Sequence, residues 1–305
     1  MMARLFTVAS KEFSDIVRSK RFILLVIIFG LGMVAAIAAT YTTARTATAR
    51  TATAMPTRFL GLAGFMLPSM LAYLVPIIGI GLGCDAISGE KEKGSLKLVL
   101  AQPVYRDDVI NGKFLAAISA ITLAIIITLL ASVGGSISML GITLTADEAG
   151  RLSLYMVFAL LFAMLYYGIA AFLSTVSKRT SQSIIIAVAI WVVFTFVIPI
   201  ISNFIAVATV GVPTFTAGQQ PDPEQMRRFT SVVQSVQSIT PNYHFSQIGR
   251  YLLSPFAGTQ AGAQQSALSI TQSLAHAWAN IAVLAIATPL PFIACYMMFI
   301  RQEIS

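Results

Sequence analysis

The sequence predicts an all-α membrane protein: six transmembrane helices preceded by an N-terminal amphipathic helix in the membrane interface, forming one domain over residues 1–305. Three observations carry that prediction. Charged residues make up 10% of the chain and apolar residues 57%, whereas soluble chains carry about 25% charged residues. Charge-free runs lie between Arg21 and Arg45, Arg58 and Asp85, Lys113 and Asp147, Arg151 and Lys178, Arg179 and Asp222, and Arg250 and Arg301. Each is long enough for the ~20 residues that cross a bilayer core of about 30 Å. Their Ile, Leu, Val and Ala content at helical length argues against the shorter, alternating strands of a barrel.

Residues 2–20 place Leu5, Ala9, Phe13 and Ile16 on one stripe and Arg4, Lys11, Asp15 and Arg18 on the other, the pattern of a helix half-sunk in a leaflet. The first span is expected near 22–42. It is too long for a cleaved signal peptide and ends on no clean cleavage site, so it is read as retained. The Ala-Thr-Arg stretch from Thr40 to Arg58 has nothing to build a core from. It reads as a solvated helix extension or a mobile tether. The second span, near 59–83, carries Pro68, Pro76, Gly79 and Gly83; these imply a kink and a close helix contact. The third lies near 114–140. Thr145 and Glu148 form a capping box ahead of the fourth, near 152–176. A short loop, Ser177 to Ser181, leads to the fifth, near 182–208.

The segment 211–275 is the one stretch large enough for a substructure outside the membrane. Pro213, Pro221 and Pro223 are expected to open it in extended form. Glu224 to Thr240 then reads as an amphipathic helix with Phe229, Val232, Val233, Val236 and Ile239 on one face, stopped by Thr240-Pro241-Asn242-Tyr243. Residues 243–257 are apolar but too short to span, which suits an interfacial or re-entrant piece. Polar residues 258–273 lead into the sixth span near 277–300.

Lys and Arg set the expected orientation. Thirteen fall on the side of the N-terminus, the 84–113 loop, the 177–181 loop and the tail, against seven on the other side. A multi-pass protein of the plasma membrane with both termini in the cytoplasm follows. The net charge of +8 reflects this bias and attraction to anionic lipid, and no nucleic-acid partner is expected. Cys84 and Cys295 lie near cytoplasmic helix ends without metal-ligand neighbours; both read as small buried hydrophobes.

Within the spans so delimited there is no Asp, Glu, Lys or Arg, where an ion-coupled carrier keeps a charge at depth. No His-Glu-x-x-His, Gly-x-Ser-x-Gly or Cys/His cluster occurs, and Gly112-Lys113 runs into Phe114 without the upstream glycine of a phosphate loop. His244 and His276 read as interface residues. The chain therefore offers no catalytic site, metal site or cofactor of its own. Its charge is concentrated in residues 85–113, with Lys91, Lys93, Lys97, Arg106 and Lys113 facing Asp85, Glu90, Glu92, Asp107 and Asp108. Orientation needs only the cations, so the acids point to a docking loop. Gly94 and Pro103 leave room for a short helix over about 89–101, with Leu96, Leu98, Val99 and Leu100 as apolar anchors inside a charged rim. A bundle without an energy source that offers such a loop implies an energising partner.

The run Asp85-Ala-Ile-Ser-Gly-Glu90-Lys-Glu-Lys-Gly94-Ser-Leu-Lys-Leu-Val-Leu-Ala-Gln-Pro103-Val-Tyr-Arg106, then Gly112-Lys113-Phe114, resembles the loop between spans 2 and 3 of ABC-2-type transporter permeases. It is similar to the branch containing the permease of the nitrous oxide reductase maturation system. Ser95 replaces the usual Thr, and Lys11-Glu12-Phe13 resembles the family's N-terminal helix. The resemblance implies a type V exporter. Two permeases, copies of this chain or this chain with a paralogue, would work with two copies of an ATPase subunit that holds the ATP and Mg. It further implies that Glu90, Gly94, Leu96, Leu98, Pro103 and Arg106 shape and dock the coupling loop. Asp85 and Lys113 would pin the inner gate at the membrane junctions. Helices 2 and 5 would line a route between the copies. Thr195, Pro199, Ser202 and Asn203 are helix-5 candidates for that surface, although helix packing explains them equally well. An apolar lining would suit a lipid-like or amphipathic substrate. The competing expectation is a membrane scaffold for extracytoplasmic protein maturation or assembly, with 211–275 holding a partner protein.

Overall fold

The computed structural model describes residues 2–51, 59–60, 64, 66–94, 106–141, 143–212, 222–253 and 268–301. In chain order the helices are α1 (Met2–Arg18), α2 (Lys20–Thr51), α3 (Met66–Gly83), the short α4 (Ser88–Glu92), α5 (Arg106–Leu140) and α6 (Ala146–Val176). Then come α7 (Thr180–Val192), a π turn (Val193–Val197), α8 (Ile198–Val210), α9 (Pro223–Gln237), α10 (Pro241–Leu253), α11 (Ile270–Ala287) and α12 (Pro289–Arg301). Among the described residues, six stretches are long and apolar enough to cross a membrane: Lys20–Thr43, Leu67–Glu92, Asp107–Ser138, Ala146–Val176, Thr180–Val210 and Ile270–Arg301. The face of the bundle carrying α1 and α4 is called the inner side, and that carrying α9 and α10 the outer side.

The core is built around α6, whose Tyr155, Phe162, Tyr166 and Tyr167 are buried. Glycine lets neighbours approach it. A Cβ on Gly79 would lie 2.3 Å from the Ala163 carbonyl oxygen, and one on Gly83 2.6 Å from that of Tyr167. The expected small-residue contact is thus α3 against α6. On the outer side Phe245 of α10 inserts between Tyr155 and Phe162, with ring centroids 5.0 and 4.3 Å apart. Such stacked pairs add about 0.5–1.5 kcal/mol each beyond the area they bury. They fix α10 as part of the core.

Several boundaries differ from the sequence reading, each for a physical reason. The first span, Lys20–Thr43, agrees with the expected 22–42, and the helix itself continues through Ala and Thr to Thr51; the helix-extension alternative is the one adopted. The second begins at Met66 rather than near 59. Phe59 and Leu60 are instead held across the outer side, their amides donating to the Thr143 carbonyl (3.0 Å) and the Glu148 carboxylate (3.1 Å). Pro223 does not open an extended stretch; it begins α9, where a missing N–H costs nothing. Asp222 caps that helix by accepting from the Glu224 amide. The piece expected at the interface is α10, buried through Phe245, Ile248 and Leu252. The sixth span starts at Ile270, seated by a capping box of Ser269 and Gln272. The Thr145–Glu148 box forms as expected.

The helices also enclose charge that the expected boundaries left outside. Arg151, one turn into α6, is 2% exposed. It donates to the Asp147 carboxylate (2.7 Å), the Leu252 carbonyl (3.1 Å), Ser273 Oγ (3.3 Å) and the Leu268 carbonyl. A guanidinium this deeply placed is tolerated because nearly every donor is matched. It ties α6, α10 and α11 together at the outer side.

Candidate functional site

On the inner side the chain leaves α3 through a turn at Cys84–Ile87, makes the single turn of α4 and ends it at Lys93–Gly94. Gly94 has φ +70°, a left-handed stop that suits glycine. The helix expected over 89–101 is therefore interrupted at Gly94, and its first part is one turn long. Leu96, Leu98 and Pro103 lie outside the described residues. Arg106 is the first residue of α5, and its side chain also lies outside them.

This elbow is bolted to the inner ends of α6 and α7. The amides of Ile87 and Ser88 both donate to Ser174 Oγ, at 3.1 and 2.8 Å, and Ser88 Oγ donates to the Cys84 carbonyl at 2.8 Å. Lys91 Nζ donates to the Thr175 carbonyl. The Thr180 amide donates to Glu92 Oε2 at 3.3 Å. Two buried backbone amides at the start of α4, which have no partner within the helix, are thereby satisfied by one serine of α6.

The charged residues converge beside it. Lys113 Nζ, on a side chain only 7% exposed, pairs with Glu90 Oε1 at 2.6 Å and with Glu12 Oε2 at 2.9 Å. Arg21 pairs with Asp85. Glu12 comes from α1, Glu90 from α4 and Lys113 from α5, so one ammonium joins the interfacial helix, the elbow and the third span. Gly112 makes room for this: a Cβ there would sit 2.6 Å from Val8 Cγ1 of α1. Glu90 thus faces inward to Lys113; Asp85 lies in the turn after α3 and Lys113 two turns into α5. A cavity of about 470 Å³ opens next to them, bordered by Glu12, Lys20, Arg21, Asp85, Glu90 and Lys113 among others. Sequence reasoning missed Glu12, Ser88 and Ser174. Glu12 was signalled only by the Lys11-Glu12-Phe13 run, and the serines by nothing local.

The helix-5 candidates separate. Thr195 lies in the π turn, buried, and its Oγ1 accepts from Asn242 Nδ2 at 2.9 Å; Asn242 Oδ1 in turn accepts from the Tyr166 hydroxyl. The cause of the π turn is readable. Pro199 has no N–H, and its ring would clash with the carbonyl four residues back, that of Thr195. The helix widens instead, and the Ile198 amide donates to the Val193 carbonyl. Thr195 and Pro199 share an outer cavity of about 350 Å³. Ser202 faces α9, accepting from Gln237 Nε2 at 3.0 Å. Asn203 is exposed and donates to the Pro199 carbonyl at 2.8 Å.

Among the described residues no group of His, Cys, Asp and Glu is placed to hold a metal ion. His244 instead bridges Asn280 Oδ1 and the Ser238 carbonyl, both at 2.8 Å, and His276 stacks on Tyr251.

The family model described as "ABC-2 family transporter protein" matches residues 6–304. The chain belongs to the ABC-2 family. This ABC-2 permease is similar to "Probable ABC transporter permease protein NosY" of Stutzerimonas stutzeri, 27% identical over 206 residues, covering 66% of this chain and 70% of that protein. It is also similar to the protein of the same description from Pseudomonas aeruginosa, 26% identical over 196 residues, covering 63% and 67%. It is a multi-pass membrane protein and the transport subunit of an ABC transporter.

Proposed function

We propose that this permease works in an ATP-driven exporter as a dimer, with a separate ATPase docking at the inner elbow. The observation that carries the coupling is the Glu12–Lys113–Glu90 junction. A push on α4 reaches α1 and α5 through that ammonium, and α6 and α7 through Ser174 and Thr180. Glu90 shapes the elbow from inside, leaving Gly94 and the segment after it, with Leu96, Leu98, Pro103 and Arg106, to meet the ATPase. Asp85 and Lys113 pin the inner gate. ATP and Mg belong to the partner chain, and both ends of this chain lie in the cytoplasm beside it. The fifth span buries only 11% of its most apolar window, and its outward face meets the second copy or lipid. Thr195 and Pro199 border the substrate route.

Affinity purification from native membranes tests this reading. An ATPase at one-to-one stoichiometry, lost when residues 95–101 are scrambled, supports it. A stable preparation of this chain alone, with no ATPase from the same membranes, removes the coupling assignment.

One observation favours a second reading, a scaffold for maturation of an extracytoplasmic protein. α9 buries none of its residues, and Ile239 just beyond it is 76% exposed. A protein retained by α9, with no solute movement by the assembled complex, would support the scaffold.

A further inference from the structure

The outer cavity has a lining that helix packing leaves unused. Its walls come from α3, the π turn, α9 and α10, and its volume of about 350 Å³ lies in the range of small-molecule sites. Among the described residues of that lining, Arg250 is the one formal charge and no carboxylate accompanies it. Among the described residues, Ser69, Gln234, Ser246, Gln247 and Arg250 have no side-chain hydrogen bond or ion pair within the chain. Five polar side chains from three helices thus face one cavity with their donors free. Tyr73 and Phe194 supply aromatic surface in the same lining.

We propose that this cavity binds an oxyanion, the carboxylate or phosphate of a small molecule with an apolar body. The guanidinium of Arg250 offers a planar fork matched to such a group. Carboxamide N–H and hydroxyl groups complete the shell without adding charge, and the rings of Tyr73 and Phe194 cover the apolar part. A lining of one cation and no acid favours a monoanion over a cation. The floor is Asn242, which holds Thr195 in the π turn, so an occupant bears directly on the fifth span. Two sources supply this chemistry: a soluble organic anion or the phosphate of a membrane lipid. The site lies within one copy and involves no ATPase, so it is independent of the coupling reading above.

The test uses the full chain, without ATPase, in phosphatidylcholine nanodiscs. Phenyl phosphate and benzoate, with benzamide as the neutral counterpart, are titrated by calorimetry and by thermal midpoint. At least one anion is expected to bind tenfold or more tightly than benzamide. Arg250→Gln should weaken it tenfold or more, Arg250→Lys less so, and Gln247→Ala severalfold with the charge kept. Arg227→Gln, on α9 but outside this cavity, should change nothing. Stabilisation by phosphatidylglycerol that requires Arg250, without response to the soluble anions, assigns the oxyanion to lipid. Benzamide binding as tightly as the anions, or no Arg250-dependent response to anion or lipid, overturns the proposal.

Discussion

Lys113 shows how little freedom a charge has at the membrane edge. Its ammonium answers two carboxylates, each about one-fifth exposed, and has almost no water around it. Removing one partner of such a buried cluster costs about 3–5 kcal/mol, while replacing all members by apolar groups is close to neutral. Lys113→Met should therefore lower the thermal midpoint sharply, and Glu12→Gln with Glu90→Gln in the same chain should restore part of it. A midpoint unmoved by Lys113→Met would mean that the ion pairs are not holding the elbow. The sequence made Glu90, Asp85 and Lys113 visible because charge is scarce between apolar runs. It hid Glu12, since a pair separated by 101 residues leaves no periodic trace and an acid on an amphipathic helix reads as solvated. It also hid Arg151, whose burial depends on carbonyls of α10 and the residues before α11 that no local pattern announces.

Helices here meet through notches, and the notches predict a ranking. Gly79→Ala and Gly83→Ala force a Cβ to within 2.3 and 2.6 Å of α6 carbonyl oxygens, whereas Gly30→Ala meets nothing within 4 Å. Overpacking of that kind costs about 1–3 kcal/mol, so the first two should lower the thermal midpoint and Gly30→Ala should not. Prolines and glycines in α3 announced this contact from sequence alone, and the capping box announced where α6 begins. The π turn was not announced: Pro199 marks a disturbance, but its form depends on Asn242 arriving from α10. Losing a buried hydrogen-bond partner costs about 1–3 kcal/mol. Thr195→Val and Asn242→Leu should each destabilise the chain, and the double variant should cost less than the sum of the two. Strict additivity would show that the two side chains do not communicate.

At the scale of the whole molecule, the six-span plan was legible because bilayer thickness imposes a length that charge-free runs report directly. Its packing was not, because every span is apolar on all sides and hydrophobicity does not say which face meets protein. The fifth span is the case in point. Ile185 and Ile200 are each 68% exposed and Phe204 is 73% exposed, although the sequence of this span is as apolar as any. If a second copy covers that face, single cysteines at Ile185, Ile200 or Phe204 should form disulfide-linked dimers on oxidation in native membranes. Cys84 and Cys295, both buried, should give little background. Monomers at all three positions would move the dimer contact elsewhere.

The π turn at Val193–Val197 also bears on how this span tolerates changes of length. Flanked by α7 and α8, each 13 residues long, it accommodates one residue more than a regular helix needs over the same turns. Deleting one residue within Val193–Val197 would remove the extra residue and keep Ser183 and Ser202 on their present sides, leaving only the local Pro199 clash to be absorbed as a kink. The same deletion inside α7 or α8 would rotate everything beyond it by about 100°. Natural variants one residue shorter within this span should therefore have lost that residue here.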